Sequence, residues 1–398
     1  MASNTVFPIL DLPPELLDII ASFVYPYDVR PLRQTCRYIY SCTSRCFART
    51  ELDIIRTDLS FRSLLRLEDI ARHKGFAPYV NTLVIENEYG NDIGQGIAWE
   101  WDAFGNLDLQ QAGVHRVQAI LQSFKNCRSF QFARYRSCED NKTPEPLALG
   151  EAINMTLTIA VNLKRQIKAF DMFDIWSRSA EPDAECRDLK GLTMMPTEWP
   201  EFMDVWPTVS SLVLSYQAGS PSGVPVSLAL NLLQHAPKLR RLHVDSAWST
   251  GGASIMDYLL STKLGFELEE LHLGTAASVR GDDLQTFLSE HRRTLRTLIF
   301  DELNLQPGNW IPTLCSMTTG FPKLSSVNFT DISEGLPRDT HWVDYPELAK
   351  SLGTKIISRL HDLDRSSRVW SVFYRGPKME IALQKMADSA TILSWDEY

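Results

Sequence analysis

The sequence predicts an α/β fold in which parallel strands alternate with helices, preceded by an all-helical segment at the N-terminus. Nine short segments share the pattern apolar-x-x-apolar-x-apolar, and the last five begin at positions 209, 239, 268, 295 and 324. Helical periodicity lies between them: Leu284, Phe287, Leu288 and His291 occupy one face of a helix. The third observation is the stretch 9–41, where two short helices with apolar stripes precede the repeats.

Composition and charge exclude several classes of function. The chain has 398 residues, of which 44% are hydrophobic and 22% charged, close to a globular average. Its net charge of −9 offers no general basic surface, so we expect no nucleic-acid partner. The seven cysteines include no C-x-x-C pair, so we expect free thiols in a reducing compartment.

Targeting signals are absent from the N-terminal residues MASNTVFPILDLPPE, which have no basic n-region and no continuous apolar core. No run approaches the roughly 20 apolar residues that span a bilayer. We therefore expect a protein of the cytoplasm or the nucleus, or both, without a membrane partner.

The repeated segments are predicted to be strands. They are VNTLVI from Val80, CRSFQF from Cys127, IKAFDM from Ile167, LKGLTM from Leu189, VSSLVL from Val209, LRRLHV from Leu239, LEELHL from Leu268, LRTLIF from Leu295 and LSSVNF from Leu324. The last five are spaced by 30, 29, 27 and 29 residues. A strand and a helix at this period cannot bury their inner side alone, so neighbouring units must stack.

Residues 79–335 therefore resemble an irregular leucine-rich-repeat solenoid of the long, helix-bearing type. They depart from that pattern because the ladder Asn or Cys, expected eight positions on, is replaced by Ala247, Ala276, Leu303 and Ile332. The alternative is a doubly wound parallel sheet. Strands of such a sheet are almost continuously apolar, whereas these carry polar residues at alternate positions.

Segments outside the regular repeats are assigned more coarsely. Residues 51–78 are predicted to be a helical linker, and 336–398 a C-terminal cap or tail in which 346–360 is helical. The insert 87–113, rich in Gly, Asn, Asp and Trp, reads as a long loop, and 177–188 as an exposed one.

The N-terminal stretch contains signals for two helices. Asp11 is expected to be the N-cap of the first helix or to lie just before it, and the early prolines of this helix are tolerated in a first turn. Its apolar face is predicted to comprise Leu16, Ile19, Ile20 and Phe23. Pro26 ends this helix, and Asp28 caps a second one, with Pro31 in its first turn and a stripe of Leu32, Cys36 and Ile39.

Residues 8–50 resemble an F-box. The opening L-P-x-E-L-L-x-x-I of that family is matched by Leu12, Pro13, Glu15, Leu16, Leu17 and Ile20, with Val24 at a following apolar position. The later acidic cap and L-x-x-x-C-[KR] are matched by Asp28, Leu32, Cys36 and Arg37, although Ile39 replaces the usual aromatic. The alternative is a helical hairpin that merely caps the repeats.

The resemblance implies a binding function. F-box modules bind the small acidic adaptor of SCF-type (Skp–cullin–F-box) ubiquitin ligases, and through it a cullin. The predicted adaptor-binding residues are Leu12, Pro13, Glu15, Leu16, Leu17, Ile20, Val24, Leu32 and Cys36. Between positions 28 and 49, five arginines are opposed by Asp28 alone, and this local charge would favour an acidic partner. They are Arg30, Arg33, Arg37, Arg45 and Arg49.

The repeats would then hold an unknown protein substrate on the concave face of the solenoid. The predicted substrate-binding residues are Arg241, His243, Asp245, Glu270, His272, Asp301 and Asn328. His243 and His272 occupy equivalent positions on neighbouring strands, roughly 5 Å apart. A metal site there is disfavoured because a third ligand is not evident.

No catalytic motif stands out, so the sequence predicts a substrate-recognition subunit, not an enzyme, with no catalytic residue, cofactor or metal. Two other functions stay open. One is a scaffold that binds the adaptor without any role in ubiquitination. The other is an α/β enzyme with a deep pocket at the carboxyl edge of its sheet.

Overall fold

The computed structural model describes residues 9–87, 93–135, 147–175, 199–215, 226–245, 255–335, 341–344, 356–360 and 369–393. The chain divides into two compact units, Met1–Leu147 and Ala148–Tyr398. Both contain helices and parallel strands, which confirms the predicted α/β class.

The first unit begins with four short helices and continues as alternating strands and helices. Its helices are α1 Pro14–Ser22, α2 Pro26–Gln34, α3 Arg37–Cys42, α4 Ser44–Glu51, α5 Phe61–Arg72 and α6 Ala112–Ser123. Its strands are β1 Ile54–Thr57, β2 Thr82–Glu86 and β3 Ser129–Tyr135, with β2 paired in parallel to both others. The insert 87–113 is irregular where it is described, up to the start of α6 at Ala112.

The segment 51–78, predicted to be a helical linker, also contains strand β1. Its side chains alternate between exposed and buried, with Ile55 and Thr57 on the buried side. The backbone of β1 pairs with β2 over four residues, Ile54 to Thr57. Because β-branched side chains suit a pleated, half-buried surface, this stretch extends the sheet instead of continuing α4.

The second unit repeats a strand and a helix before ending in antiparallel strands. Its helices are α7 Leu149–Asn162, α8 Phe202–Val205, α9 Val226–Gln234, α10 Ile255–Ser261, α11 Gly281–His291, α12 Trp310–Met317 and α13 Met379–Ser389. Its first six strands are β4 Ala169–Ile175, β5 Ser211–Ser215, β6 Arg241–Asp245, β7 Glu270–Val279, β8 Thr297–Leu305 and β9 Ser326–Thr330. The remaining strands are β10 Ser333–Glu334, β11 His341–Asp344, β12 Ile356–Leu360, β13 Val369–Arg375 and β14 Thr391–Leu393.

Eight of the nine predicted strands are confirmed, and the ninth, from Leu189, lies outside the described residues. From β4 to β9 each strand pairs in parallel with the next strand along the chain. Equivalent motif positions are in register: Leu242 faces Leu271, and Leu271 faces Leu298. The strand order therefore shows none of the reversal that a doubly wound sheet has at its switch point.

A repeated pair of hydrogen bonds fixes this register. Arg240 and Arg241 both donate a backbone N–H to the carbonyl of Ser210, at 3.0 and 2.9 Å. Glu269 and Glu270 donate in the same way to Arg240, at 2.7 and 3.0 Å. The pattern recurs from Arg296 and Thr297 to Glu269, and from Ser325 and Ser326 to Arg296. Each repeat thus starts its strand on one carbonyl of the preceding repeat.

The two faces of strands β4 to β9 differ in burial. Leu242 and Val244, with their counterparts on neighbouring strands, are fully buried, and the helices of the unit pack on that face. Phe300, for example, contacts the ring of Trp310 on α12 at 5.5 Å between centroids. The alternate residues, such as His243 and Asp245, are partly exposed. We call this second surface the open face.

The C-terminal region departs from the predicted helical cap. Residues 356–360 form strand β12, which pairs antiparallel with β13. β13 in turn pairs antiparallel with β9, so the sheet continues past the last repeat. Its run V-W-S-V-F is rich in the β-branched and aromatic residues that favour strands, and it covers the edge of β9. Helix α13 then packs against α12.

Candidate functional site

The N-terminal helices form a small bundle with its own core. Leu17, Ala21 and Val29 are at most 3% exposed, and α1 packs against α3 and α4. Asp18 joins these helices because its carboxylate accepts a hydrogen bond from the backbone N–H of Cys46, in the first turn of α4, at 2.9 Å. Leu17 was predicted to bind the adaptor, but its side chain is committed to the core and is not accessible to a partner in this arrangement.

The opposite side of α1 carries large apolar side chains in solvent. Leu16, Ile19, Ile20 and Phe23 are 45%, 53%, 40% and 85% exposed. Their spacing places them on one helix face, as the sequence predicted, and we call it the α1 apolar face. A contiguous exposed apolar surface of this kind marks an interaction site more often than a free monomer surface.

The remaining predicted adaptor residues surround this face unevenly. Pro13 and Glu15 are exposed, whereas Leu12, Val24, Leu32 and Cys36 are half-buried. Sequence reasoning did not select Tyr25 and Tyr27, two strongly exposed aromatic residues in the α1–α2 connection and the first turn of α2. Their position directly after the α1 apolar face was the available signal.

The predicted second helix is interrupted at Cys36. Cys36 is extended, and its Sγ accepts a hydrogen bond from the backbone N–H of Ile39 at 3.5 Å, so it caps α3. Asp28 and Pro31 lie inside α2, which starts at Pro26, so the expected cap at Asp28 is wrong. The N-cap of α1 is Pro13, and Asp11 lies just before it. The break lets α3 pack against both α2 and α1 and buries Ile39.

The arginine cluster is less available to a partner than the sequence suggested. Arg30 forms an ion pair with Glu51, and Arg49 contacts Asp18 at 3.5 Å. Arg33 is buried, donates to the carbonyl of Tyr40 at 3.1 Å, and stacks over the rings of Tyr40 and Phe47. Three of the five guanidinium groups therefore stabilise the bundle itself. Only Arg33 of the five is buried, and Arg30, Arg37, Arg45 and Arg49 are exposed.

The open face of the second unit brings the predicted substrate residues together in three rows that run across the strands. The carboxyl row comprises Ser215, Asp245, Gly274, Asp301, Thr330 and Ser371. The middle row comprises Val213, His243, His272, Ile299, Asn328 and Phe373. The amino row comprises Ser211, Arg241, Glu270, Thr297, Ser326 and Arg375. Asp171 on β4, which the sequence reasoning missed, is the neighbour of Val213 in the middle row.

His243 and His272 are stacked, with ring centroids 3.7 Å apart and an interplanar angle of 15°. Burial lowers the pKa of each imidazole to about 4, and each is therefore neutral at pH 7. The carboxylate of Asp245 lies beside Gly274, where a side chain on β7 would otherwise stand. Asp245 also accepts a hydrogen bond from the Ser215 hydroxyl at 3.4 Å.

Within the parts of the chain that the structure describes, no group of three His, Cys, Asp or Glu residues could hold a metal ion. Over the same residues, no helix is both long and apolar enough to cross a membrane. Comparison with models of protein families and with curated proteins finds no match to this chain.

A buried histidine in the helix layer gives a testable pH dependence. His291 is 3% exposed and packs against Phe266 and Phe287, and burial lowers its pKa to about 4. The unfolded chain binds this proton near pH 6.5, so the free energy of unfolding falls as pH drops from about 6.5 to 4. In the His291→Gln variant, we expect the free energy of unfolding to fall by up to about 3 kcal/mol less over this pH range than in the wild type. Urea unfolding across this range measures it, with exposed His115→Gln as the control, and an unchanged slope contradicts it.

Proposed function

We propose that this chain is the substrate-recognition subunit of an SCF-type ubiquitin ligase, with residues 8–50 as its F-box. The observation that carries the proposal is the α1 apolar face. Three of the motif's matched positions, Pro13, Leu16 and Ile20, lie on the exposed side of a helix whose opposite side already has a core. A helix that only capped the repeats would be expected to leave a polar side in solvent, not large apolar side chains.

The energetics favour a partner for this face. Fully burying a Leu, Ile or Phe side chain stabilises by about 1.5–3 kcal/mol. The four residues of the α1 apolar face are between 40% and 85% exposed, so much of this free energy is still available to a partner. Docking Leu16, Ile19, Ile20 and Phe23 into a groove thus offers several kcal/mol without reorganising the bundle. This corresponds to recognition of an amphipathic helix by an apolar groove.

We further propose that the strand and helix array is a leucine-rich-repeat-like solenoid that presents a target protein on its open face. Sequential parallel pairing, the repeated backbone hydrogen bonds and helices against a single face support this architecture. The positive φ angles of Thr275, Glu302 and Asp331, at the same motif position in three consecutive repeats, support it as well. The chain would then act by tethering, which raises the local concentration of a target near the transfer machinery.

Co-expression of the full chain with the SCF adaptor tests the proposal. We expect a stable one-to-one complex on size-exclusion chromatography, to which a purified cullin adds. An adaptor complex that does not recruit the cullin would support the alternative scaffold function. A folded chain that forms no complex would overturn the F-box assignment.

A further inference from the structure

The chemistry of the open face indicates which class of target it accepts. This step rests on the proposed function, because it takes the open face to be the target-binding surface. The middle row is half-buried, and three of its six residues from β5 to β13 are apolar: Val213, Ile299 and Phe373. The imidazoles of His243 and His272 lie between them, stacked and neutral at pH 7, and behave there as aromatic surface.

An acidic border lies beside this apolar row. The carboxyl row carries Asp245 and Asp301, separated by Gly274, and its other members are hydroxyl residues. Asp171 adds a third carboxylate at the β4 end of the middle row. Among the described residues of these two rows there is no Lys or Arg, and their net charge at pH 7 is therefore negative.

The basic residues of the open face lie at its far edge. Arg241 and Arg375 belong to the amino row, which also contains Glu270. Asp245 lies four positions after Arg241, which is about 13 Å along the strand. Charge therefore changes across the face in one direction, from mixed at the amino row to acidic at the carboxyl row.

The dimensions match a short helix. The middle row crosses five strand spacings from β5 to β13, or about 24 Å at roughly 4.8 Å each. A helix of about 16 residues has that length. Laid across the strands, it can place an apolar stripe on the middle row and a basic stripe on the carboxyl row.

We propose that the open face binds a basic amphipathic helix of the target protein, with its apolar side chains on the middle row and its Lys or Arg side chains beside Asp245 and Asp301. The apolar stripe and the basic stripe of the target helix must each be continuous along the helix, because the middle row and the carboxyl row are adjacent and parallel. An acidic helix would meet repulsion at the carboxyl row, and a uniformly basic one would leave the apolar row uncovered.

Synthetic peptides test this without knowledge of the target. The probe is a fluorescein-labelled 18-residue peptide of Leu and Lys in amphipathic helical order. Two comparison peptides replace every Lys with Glu or every Leu with Ser. Fluorescence anisotropy with the full chain is expected to show binding of the Leu/Lys peptide at least tenfold tighter than of either comparison peptide, and weaker at higher salt.

Variants locate the site. Asp245→Asn/Asp301→Asn is expected to weaken Leu/Lys binding at least tenfold, and Ile299→Ser several-fold. The matched control, Asp282→Asn/Asp283→Asn, makes the same change on α11 in the helix layer and should leave binding unchanged. Unchanged circular dichroism and thermal midpoint confirm that each variant folds.

Several results overturn the inference: no binding of the Leu/Lys peptide, equal binding of the Leu/Glu peptide, or equal losses in the open-face and control variants. Measuring adaptor binding on the same preparation distinguishes a failure of this inference from a failure of the proposed function. Adaptor binding without peptide binding refutes the target class alone. Peptide binding without adaptor binding keeps the surface and refutes the ligase function.

Discussion

Leu16→Asp is expected to abolish the complex with the SCF adaptor while leaving the chain folded. Leu16 is 45% exposed on the α1 apolar face, so the substitution removes little of the bundle's own core. In the complex, however, it would place a carboxylate in an apolar groove with no partner, at a cost of several kcal/mol. Loss of several kcal/mol of binding free energy raises the dissociation constant by at least a hundredfold. A complex that weak should dissociate during size-exclusion chromatography.

Leu65→Asp is the matched control for this variant. Leu65 is 41% exposed on α5, so the same residue changes in the same way on another helix of the same unit. We expect its complex to elute as wild type does. Retained binding by Leu16→Asp, or equal loss in both variants, would contradict an adaptor contact at the α1 apolar face.

Trp206→Ala is expected to give the largest loss of stability in the second unit, about 3–5 kcal/mol. The Trp206 ring is fully buried, contacts Phe170 edge-on at 5.3 Å, and stacks on Phe202 at 5.0 Å. Its indole N–H donates to the carbonyl of Leu232 at 2.8 Å. That carbonyl lies in the last turn of α9, where the helix provides no N–H donor of its own. Trp206 therefore links neighbouring repeats by both packing and a helix cap.

Two further variants separate these contributions. Trp206→Phe keeps most of the ring contact but leaves the Leu232 carbonyl without its donor, and we expect a loss of about 1–3 kcal/mol. Trp199→Ala, at an exposed tryptophan, should change the free energy of unfolding by less than about 0.5 kcal/mol. Chemical unfolding followed by circular dichroism measures all three. Equal effects at positions 199 and 206 would refute the role given to Trp206.

Much of the second unit could be predicted from the sequence because its information is local. The spacing of leucines in LRRLHV and LEELHL fixes which residues alternate between the faces, and each strand lies where its motif does. The stripe ending at His291 likewise became the buried side of α11. The period and the residue type suffice to predict the strands and their buried faces where one repeat packs on the next, similar repeat.

The N-terminal bundle shows where local signals fail. Leu16 and Leu17 are identical residues at adjacent motif positions, yet Leu16 is 45% exposed and Leu17 is buried, with 3% exposed. Likewise, the periodicity through Leu32, Cys36 and Ile39 predicted one helix, but Cys36 separates two. Which face of α1 is inside depends on where α3 and α4 pack, and neither position is encoded near Leu16.

The sequence by itself determined the α/β class, the positions of the repeat strands β2 to β9, and the apolar character of the α1 face, since each follows from side-chain periodicity along a short stretch. The tertiary structure alone decided which arginines are paired within the bundle, because the partners of Arg30, Arg33 and Arg49 lie on other helices of the bundle. It also decided the rows of the open face. Asp171, Asp245 and Asp301 are more than fifty residues apart from one another, and strand register sets them on one surface.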